Sequence, residues 1–236
     1  MQLWFTVEEW ESLDEEDIVG APPLTLAIGI LRASEAVIDV VAVTATGDTA
    51  DAGGARATGT ALVSARIAML GALAVQLAHV RTHRVEGVRL VVFGLGALAE
   101  ELADLVPVPR SPASSHPARR PADYPYQLFL AGLSGARRGP GVLVEICAEV
   151  ARATSVTVSD ACGQLSHLSQ DCLGRLEALV GGAGGPVSWT LTTSGWFALT
   201  PVSRGGSPLI RVRPVDATDL AADLLPSLAG WLAGDA

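Results

Sequence analysis

The chain has 236 residues, is 49% hydrophobic with a mean hydropathy of +0.38, and carries a formal net charge of -9. This is enough apolar material for one domain or two small intimate halves. The acidic balance argues against nucleic acid or an anionic membrane surface as partner, since both need a basic face.

Leu3 to Trp10 reads as a short element, with Thr6 able to cap the run that starts at Val7. The start of the chain lacks the positive residues and apolar run of a signal peptide. Asp14 to Asp17 reads as a solvated face, Gly20 to Pro23 as a turn, and Leu24 to Leu31 as an apolar run. Val37 to Val43 is rich in β-branched residues and reads as a strand. Thr46 to Gly59 is Gly, Ala, Thr and Asp, the composition of a loop. Ala61 to Leu70 fits helix or strand. Leu73 to Val80 and Val88 to Phe93 read as strands joined by Arg81 to Gly87, and Leu95 to Leu105 as a helix. The most membrane-like stretch, Ile67 to Val80, is shorter than the roughly 20 residues a spanning helix needs. These features together predict a soluble, cytoplasmic protein without membrane insertion.

Pro107 to Pro125 is proline-rich and reads as a linker without regular structure. It divides a first half, 1–106, from a second half, 126–236. Tyr126 to Leu133 and Val142 to Val150 are apolar runs of either type. Ser155 to Val180 reads as helical, with Val158, Cys162, Leu165, Cys172, Leu176 and Leu179 on one face. Trp189 to Thr192 and Trp196 to Pro201 read as strands around a Ser194–Gly195 turn. Leu209 to Arg213 reads as a further strand closed by Pro214. Leu220, Leu224, Leu225, Leu228 and Leu232 then recur at helical spacing, and Asp216 or Thr218 can cap that helix.

The two halves share a plan. Val88 to Leu105 aligns with Ile210 to Ser227 at one offset, which matches Arg89 with Arg211, Leu98 with Leu220, and Leu102 with Leu224. Gly71 to Leu77 sits upstream of the first as Gly195 to Pro201 does of the second. This predicts two copies of a strand-strand-strand-helix unit closing over a shared sheet.

No catalytic, cofactor or metal constellation stands out. Gly94, Gly96 and Ala99 form G-x-G-x-x-A between a strand and a helix, where dinucleotide-binding folds hold a pyrophosphate. The chain then enters the proline stretch, where that fold needs a second parallel strand with an acidic end. His79 and His83 have i, i+4 spacing, but at a strand end with no intervening glutamate. His167, Cys162 and Cys172 fall in the helical region, with the cysteines read as core. Three cysteines make no disulfide framework. Trp189, Trp196, Phe197 and Trp231 gather in the last unit. They read mostly as core, the alternative being that one or two, Trp196 among them, lie on an exposed binding face.

VSWTLTTSGWFALTPV (187–202) followed by LIRVRPVDATDLAADLLPSLAGWL (209–232) resembles the C-terminal pattern of the EspG family of ESX (type VII) secretion-associated proteins of actinobacteria. That pattern is a Trp-bearing strand, a turn glycine, a strand, a V-x-V-x-P strand end and a Leu/Ala helix. VIDVVAV, ALAVQLAHV, VRLVVF and ALAEELADLVPVPRSP are similar to the order of the family's first half. The chain departs at Thr192 to Trp196, where the family often carries D-T-x-x-G-R.

The resemblance implies a single α+β domain of quasi-two-fold symmetry, with a mostly antiparallel sheet partly covered by helices. It also implies a non-catalytic cytoplasmic chaperone that binds the apolar tip of a helical PE–PPE-like secretion substrate and keeps it soluble for export, without cofactor. The family's loop between its second and third strands contacts the client. By position that is Arg81 to Gly87 here, so Arg81, Thr82, His83, Arg84, Val85 and Glu86 are the candidate contacts, with Trp196. Two other readings remain: a dinucleotide-dependent enzyme using the Gly94–Leu95–Gly96 turn, and a self-assembling structural module, with a homodimer as the form free of client.

Overall fold

Alternating apolar residues and a few well-capped helices set the architecture, which is α+β: antiparallel strands partly covered by helices. The computed structural model describes residues 1–47, 58–82, 85–106, 120–181 and 186–233. Two compact units are present. The first comprises Met1–Pro107, Leu176–Pro186 and Ala217–Ala236, and the second Val108–Arg175 and Val187–Asp216.

The first unit opens with β1 (Gln2–Phe5) and three helices, α1 (Val7–Glu11), α2 (Glu15–Gly20) and α3 (Pro22–Ala33). Thr6 caps α1 as expected. Its hydroxyl accepts from the Glu9 N–H at 3.1 Å, and the Glu9 carboxylate accepts from the Thr6 N–H at 2.8 Å. Asp14 caps α2 in the same way. Pro22 and Pro23, expected in a turn, instead open α3, where an N–H would have no helical partner in any case. Leu24, Ala27 and Ile30 then fall on one face of α3 and pack with Val75, Leu90 and Val92.

Four strands follow as a meander: β2 (Ala36–Gly47), β3 (Thr58–Leu70), β4 (Leu73–Arg81) and β5 (Glu86–Gly94). The ambiguous stretch Ala61–Leu70 is strand. Ala61, Val63, Ala65 and Ile67 are buried, while Leu62, Ser64 and Arg66 are exposed, a period of two. Of the expected loop Thr46–Gly59, residues 48–57 lie outside the described residues, and both ends belong to strands. A 3₁₀ turn (Leu95–Ala97) and α4 (Leu98–Ala103) complete this run.

The strand β7 (Cys172–Val180) gives Leu176–Val180 to the first unit, whose strand order is β1-β5-β4-β3-β2-β7. A second 3₁₀ turn (Ala217–Asp219) leads into α8 (Leu220–Ala233), which packs on α4 and β2. Leu220, Leu224 and Leu228 are buried, but Leu225 and Leu232 of the expected stripe are 59% and 64% exposed. The covered face is therefore a single i, i+4, i+8 row. Trp231 donates its indole N–H to the Glu35 carbonyl at 3.1 Å, and its ring lies where a side chain on Gly181 would go.

In the second unit, residues 107–119 of the proline-rich stretch lie outside the described residues. Its end is not linker but a strand, β6 (Ala122–Pro125), paired with Leu209–Val212. The two undecided apolar runs are helices, α5 (Tyr126–Arg138) and α6 (Pro140–Ala153). Gly139, at φ 137, stops the first, and Pro140 starts the second.

The expected helix Ser155–Val180 divides into α7 (Val158–Gln170) and β7. Beyond Asp171 the burial alternates: Gly174, Leu176, Ala178 and Val180 are covered, while Arg175 and Glu177 are exposed. Leucines that suit a helical period suit a strand equally over so short a run.

The remaining strands are β8 (Val187–Thr192), β9 (Gly195–Arg204) and β10 (Ser207–Val215), giving the order β7-β8-β9-β10-β6. Pro201 and Pro214 do not end their strands as expected. The β8–β9 register ends at Ser188↔Leu199 and the β10–β6 register at Val212↔Ala122. Each proline thus sits where its strand has lost one of two neighbours and its missing N–H is tolerated. The core of this unit joins Phe129, Leu143, Cys147, Leu165 and Leu168 of the helices to Tyr124, Phe197, Ile210 and Val212 of the strands.

The two strand orders correspond: an outer strand, helices, then a four-strand meander in each. Leu98 and Leu102 of the first repeat, and Leu220 and Leu224 of the second, are all buried.

Candidate functional site

In the first unit, β2 covers Ile38, Val40, Ala42 and Thr44 on one side, so Asp39, Val41 and Val43 must face the other. The antiparallel register places Asp39 opposite Arg66, Val41 opposite Ser64, and Val43 opposite Leu62. On the next strand, Arg66 lies opposite Leu77, Ser64 opposite His79, and Leu62 opposite Arg81. One sheet face therefore carries an apolar group of Val41, Val43 and Leu62, which are 44%, 39% and 42% exposed.

Charges border it. Arg66 donates to Asp39 at 2.8 Å, and Arg81 is within 3.3 Å of Glu86. Exposed pairs of this kind add little stability. Leu77, His79, Glu177 and Leu179 continue the face into a shallow depression of about 550 Å³.

The expected contact loop lies at one end of this face and is a tight turn. It joins β4 to β5, not the second strand to the third, because β1 and β3 also count as strands. Residues 48–57, between β2 and β3, lie outside the described residues. Thr82 and Val85 close the β4–β5 turn, with the Val85 N–H donating to the Thr82 hydroxyl and the Thr82 N–H to the Val85 carbonyl, both at 2.8 Å. Val85 is 49% exposed. His83 and Arg84 lie outside the described residues.

Trp196 is not on an accessible face. It is 6% exposed, and with Trp189 and Phe197 it belongs to the interior. The Gly94–Leu95–Gly96 turn follows β5, which is antiparallel to both β4 and β1, so the parallel strand context of the dinucleotide fingerprint is not built around it.

A second constellation escaped the sequence reading apart from His167. In the second unit, His167 Nδ1 is 2.6 Å from Asp171 Oδ2, and its Nε2 is hydrogen-bonded to the Ser194 hydroxyl and lies 2.9 Å from Thr192 Oγ1. Carboxylate, imidazole and hydroxyl in this order are the parts of an activated nucleophile. Ser194, however, is 0% exposed and His167 only 5%. The same atoms fasten the β8–β9 turn to the last turn of α7, reinforced by the Thr193 N–H donating to the Asp171 carbonyl at 3.2 Å. The arrangement presents no nucleophile to solvent and acts as a clamp. The one available signal was the i, i+4 spacing of His167 and Asp171 at a helix end.

A third feature of the second unit is a polar groove of about 890 Å³ along β6, lined among others by Arg120, Asp123, Asp160, Arg204 and Arg211. Arg211 grips Asp123 with two hydrogen bonds of 2.8 and 3.0 Å, which hold the Asp123 carboxyl below its ordinary range.

Among the described residues, no group of three His, Cys, Asp or Glu side chains is placed to hold a metal ion, and no helix is long and apolar enough to cross a membrane. No protein-family model matches the chain, and no curated protein matches it.

Proposed function

We propose that this chain is a cytoplasmic, non-catalytic chaperone of type VII secretion, similar to the EspG proteins, which holds a helical PE–PPE-like substrate for export. The observation that carries the reading is the open sheet face of the first unit. Val41, Val43 and Leu62 are adjacent, exposed, and fixed on long strands, with charged pairs around them. Exposed aliphatic groups brought together on rigid elements are the mark of a surface that expects cover. A helical substrate tip with an apolar end and a polar shaft would cover the centre and meet the charged border. Masking that tip needs complementarity alone, with no cofactor or covalent step. The β4–β5 turn, with Arg81, Thr82, Val85 and Glu86, extends the same border.

Co-expression with helical secretion substrates encoded beside the gene tests the proposal. A complex that co-elutes on size exclusion supports it. Failure of every such substrate to bind, together with a thermal shift on adding dinucleotide, would transfer the case to the enzyme reading. Light scattering that finds a stable dimer closed over this face would transfer it to self-assembly.

A further inference from the structure

The outermost strand of the first unit, β1, presents an open edge. Among the described strands it pairs with β5 alone. Met1 and Val92 exchange both backbone bonds. The Met1 N–H donates to the Val92 carbonyl at 2.9 Å, and the Val92 N–H to the Met1 carbonyl at 2.8 Å. Backbone groups alternate sides along a strand, so Leu3 and Phe5 also turn theirs to β5. The N–H and C=O of Gln2 and of Trp4 therefore point outward, and among the described residues nothing pairs with them. Thr6 ends the edge, because its N–H is held by the Glu9 carboxylate and its carbonyl by the Trp10 N–H.

The side chains leave this edge clear. The Trp4 indole lies back over β5, where a Cβ on Gly87 would come within 2.9 Å of the ring. Proteins commonly blunt a sheet edge with proline or charge. The outermost strand of the second unit, β6, has both, with Pro121 just before it and Asp123 and Pro125 within it. Gln2 to Phe5 has neither.

We propose that this edge is a self-association site, at which β1 of a second copy adds antiparallel about a two-fold axis at Leu3. Gln2 of each copy then stands opposite Trp4 of the other, and each such pair exchanges two hydrogen bonds. All the outward groups of both strands are satisfied at once. A second copy brings two outward residues to meet two, whereas a longer extended segment would find no backbone partner at Thr6. The strand is also uncharged, so two copies meet there without the local repulsion that a net charge of -9 would otherwise set up. Four interfacial hydrogen bonds correspond to roughly 400 to 800 Å² of buried surface, below the roughly 1,200 Å² of a stable complex. The dimer is therefore weak and depends on concentration. β5 and β4 separate this contact from Leu62 on β3, so it is distinct from the open sheet face.

Light scattering and sedimentation of the chain, with no residues added before Met1, from low micromolar to millimolar protein test this. The expected result is a reversible monomer–dimer equilibrium. Gln2→Pro removes an outward N–H that the fold does not use, so it should weaken the dimer roughly tenfold or more. Leu62→Glu should leave the dimer unchanged. In the wild type, amide hydrogen exchange in residues 1–6 should slow as the dimer forms. A chain that stays monomeric throughout overturns the proposal, as does a dimer that a folded Gln2→Pro protein retains in full or that Leu62→Glu dissolves. A wild-type dimer with no slowing of exchange in residues 1–6 overturns it even if Gln2→Pro folds poorly.

Discussion

Val43 of β2 stands directly opposite Leu62 of β3, and both side chains are turned to solvent. Cross-strand aliphatic pairs of this kind stabilise a sheet modestly, by about 0.2 to 1 kcal/mol. The exposure that remains is available to a partner. Leu62→Glu should therefore change stability by no more than about 1 kcal/mol while weakening substrate binding at least tenfold, which corresponds to about 1.4 kcal/mol. Denaturant titration of the free variant and calorimetry with the substrate separate the two effects. Undiminished binding by a folded Leu62→Glu protein would remove this face from the proposal.

Gly181 and Trp231 form a close backbone-to-ring contact. Gly181 has φ 62, and a methyl group there would collide with the indole. Gly181→Ala should cost about 2 to 4 kcal/mol, combining left-handed strain of roughly 1 to 2 kcal/mol with displacement of the ring and loss of its bond to Glu35. Trp231→Phe keeps the backbone at ease and loses the N–H donor, so it should cost less. Urea denaturation of the two variants checks the ranking. Equal stability of Gly181→Ala and wild type would mean the contact does not hold α8 in place.

The parts readable in advance were those where one physical signal dominated. Val37–Val43 is a strand because four of its seven residues are β-branched valines and an isoleucine another, and Thr6 is a cap because Glu9 completes its box. Ala61–Leu70 was ambiguous because alanine fits both periods, and only the partners on either side decide it. Ser155–Val180 misled because its apolar spacing continues through Asp171, where the chain turns from α7 into β7. The open face was hidden for a related reason. Valines on both sides of β2 look like a strand buried on both faces, and nothing local says which side the helices leave bare. Ser194 could not be paired with His167 from the sequence, since a hairpin turn brings them together across 27 positions.

The clamp of His167, Asp171, Ser194 and Thr192 gives a third expectation. His167→Leu is close in size but takes the imidazole away from the buried Ser194 hydroxyl, while the Thr192 hydroxyl keeps the Gly195 carbonyl and the Ser194 N–H, so it should cost about 1 to 3 kcal/mol. Ser194→Ala removes one hydroxyl and leaves the Thr192 contact with the imidazole, so about 1 kcal/mol is expected. Chemical denaturation measures both. If Ser194→Ala proved the more damaging of the two, the hydroxyl would have a role beyond fastening the turn.

Asp123 sets the last expectation, a dependence on pH. Hydrogen bonds from Arg211 are the main reason its carboxyl lies below the ordinary range, while partial burial opposes them. The folded chain therefore binds this proton less readily than the unfolded one. The resulting stabilisation is complete above the unfolded aspartate value of about 3.9 and is lost as pH falls through the lowered folded value. Asp123→Asn lacks this titration. The stability gap between wild type and variant should be constant near neutrality and shrink in acid, as the β6–β10 attachment loses its charge. Urea denaturation at several pH values from neutral into acid measures it. A gap that stays constant into strong acid would show that the Arg211 pairing does not contribute to the fold.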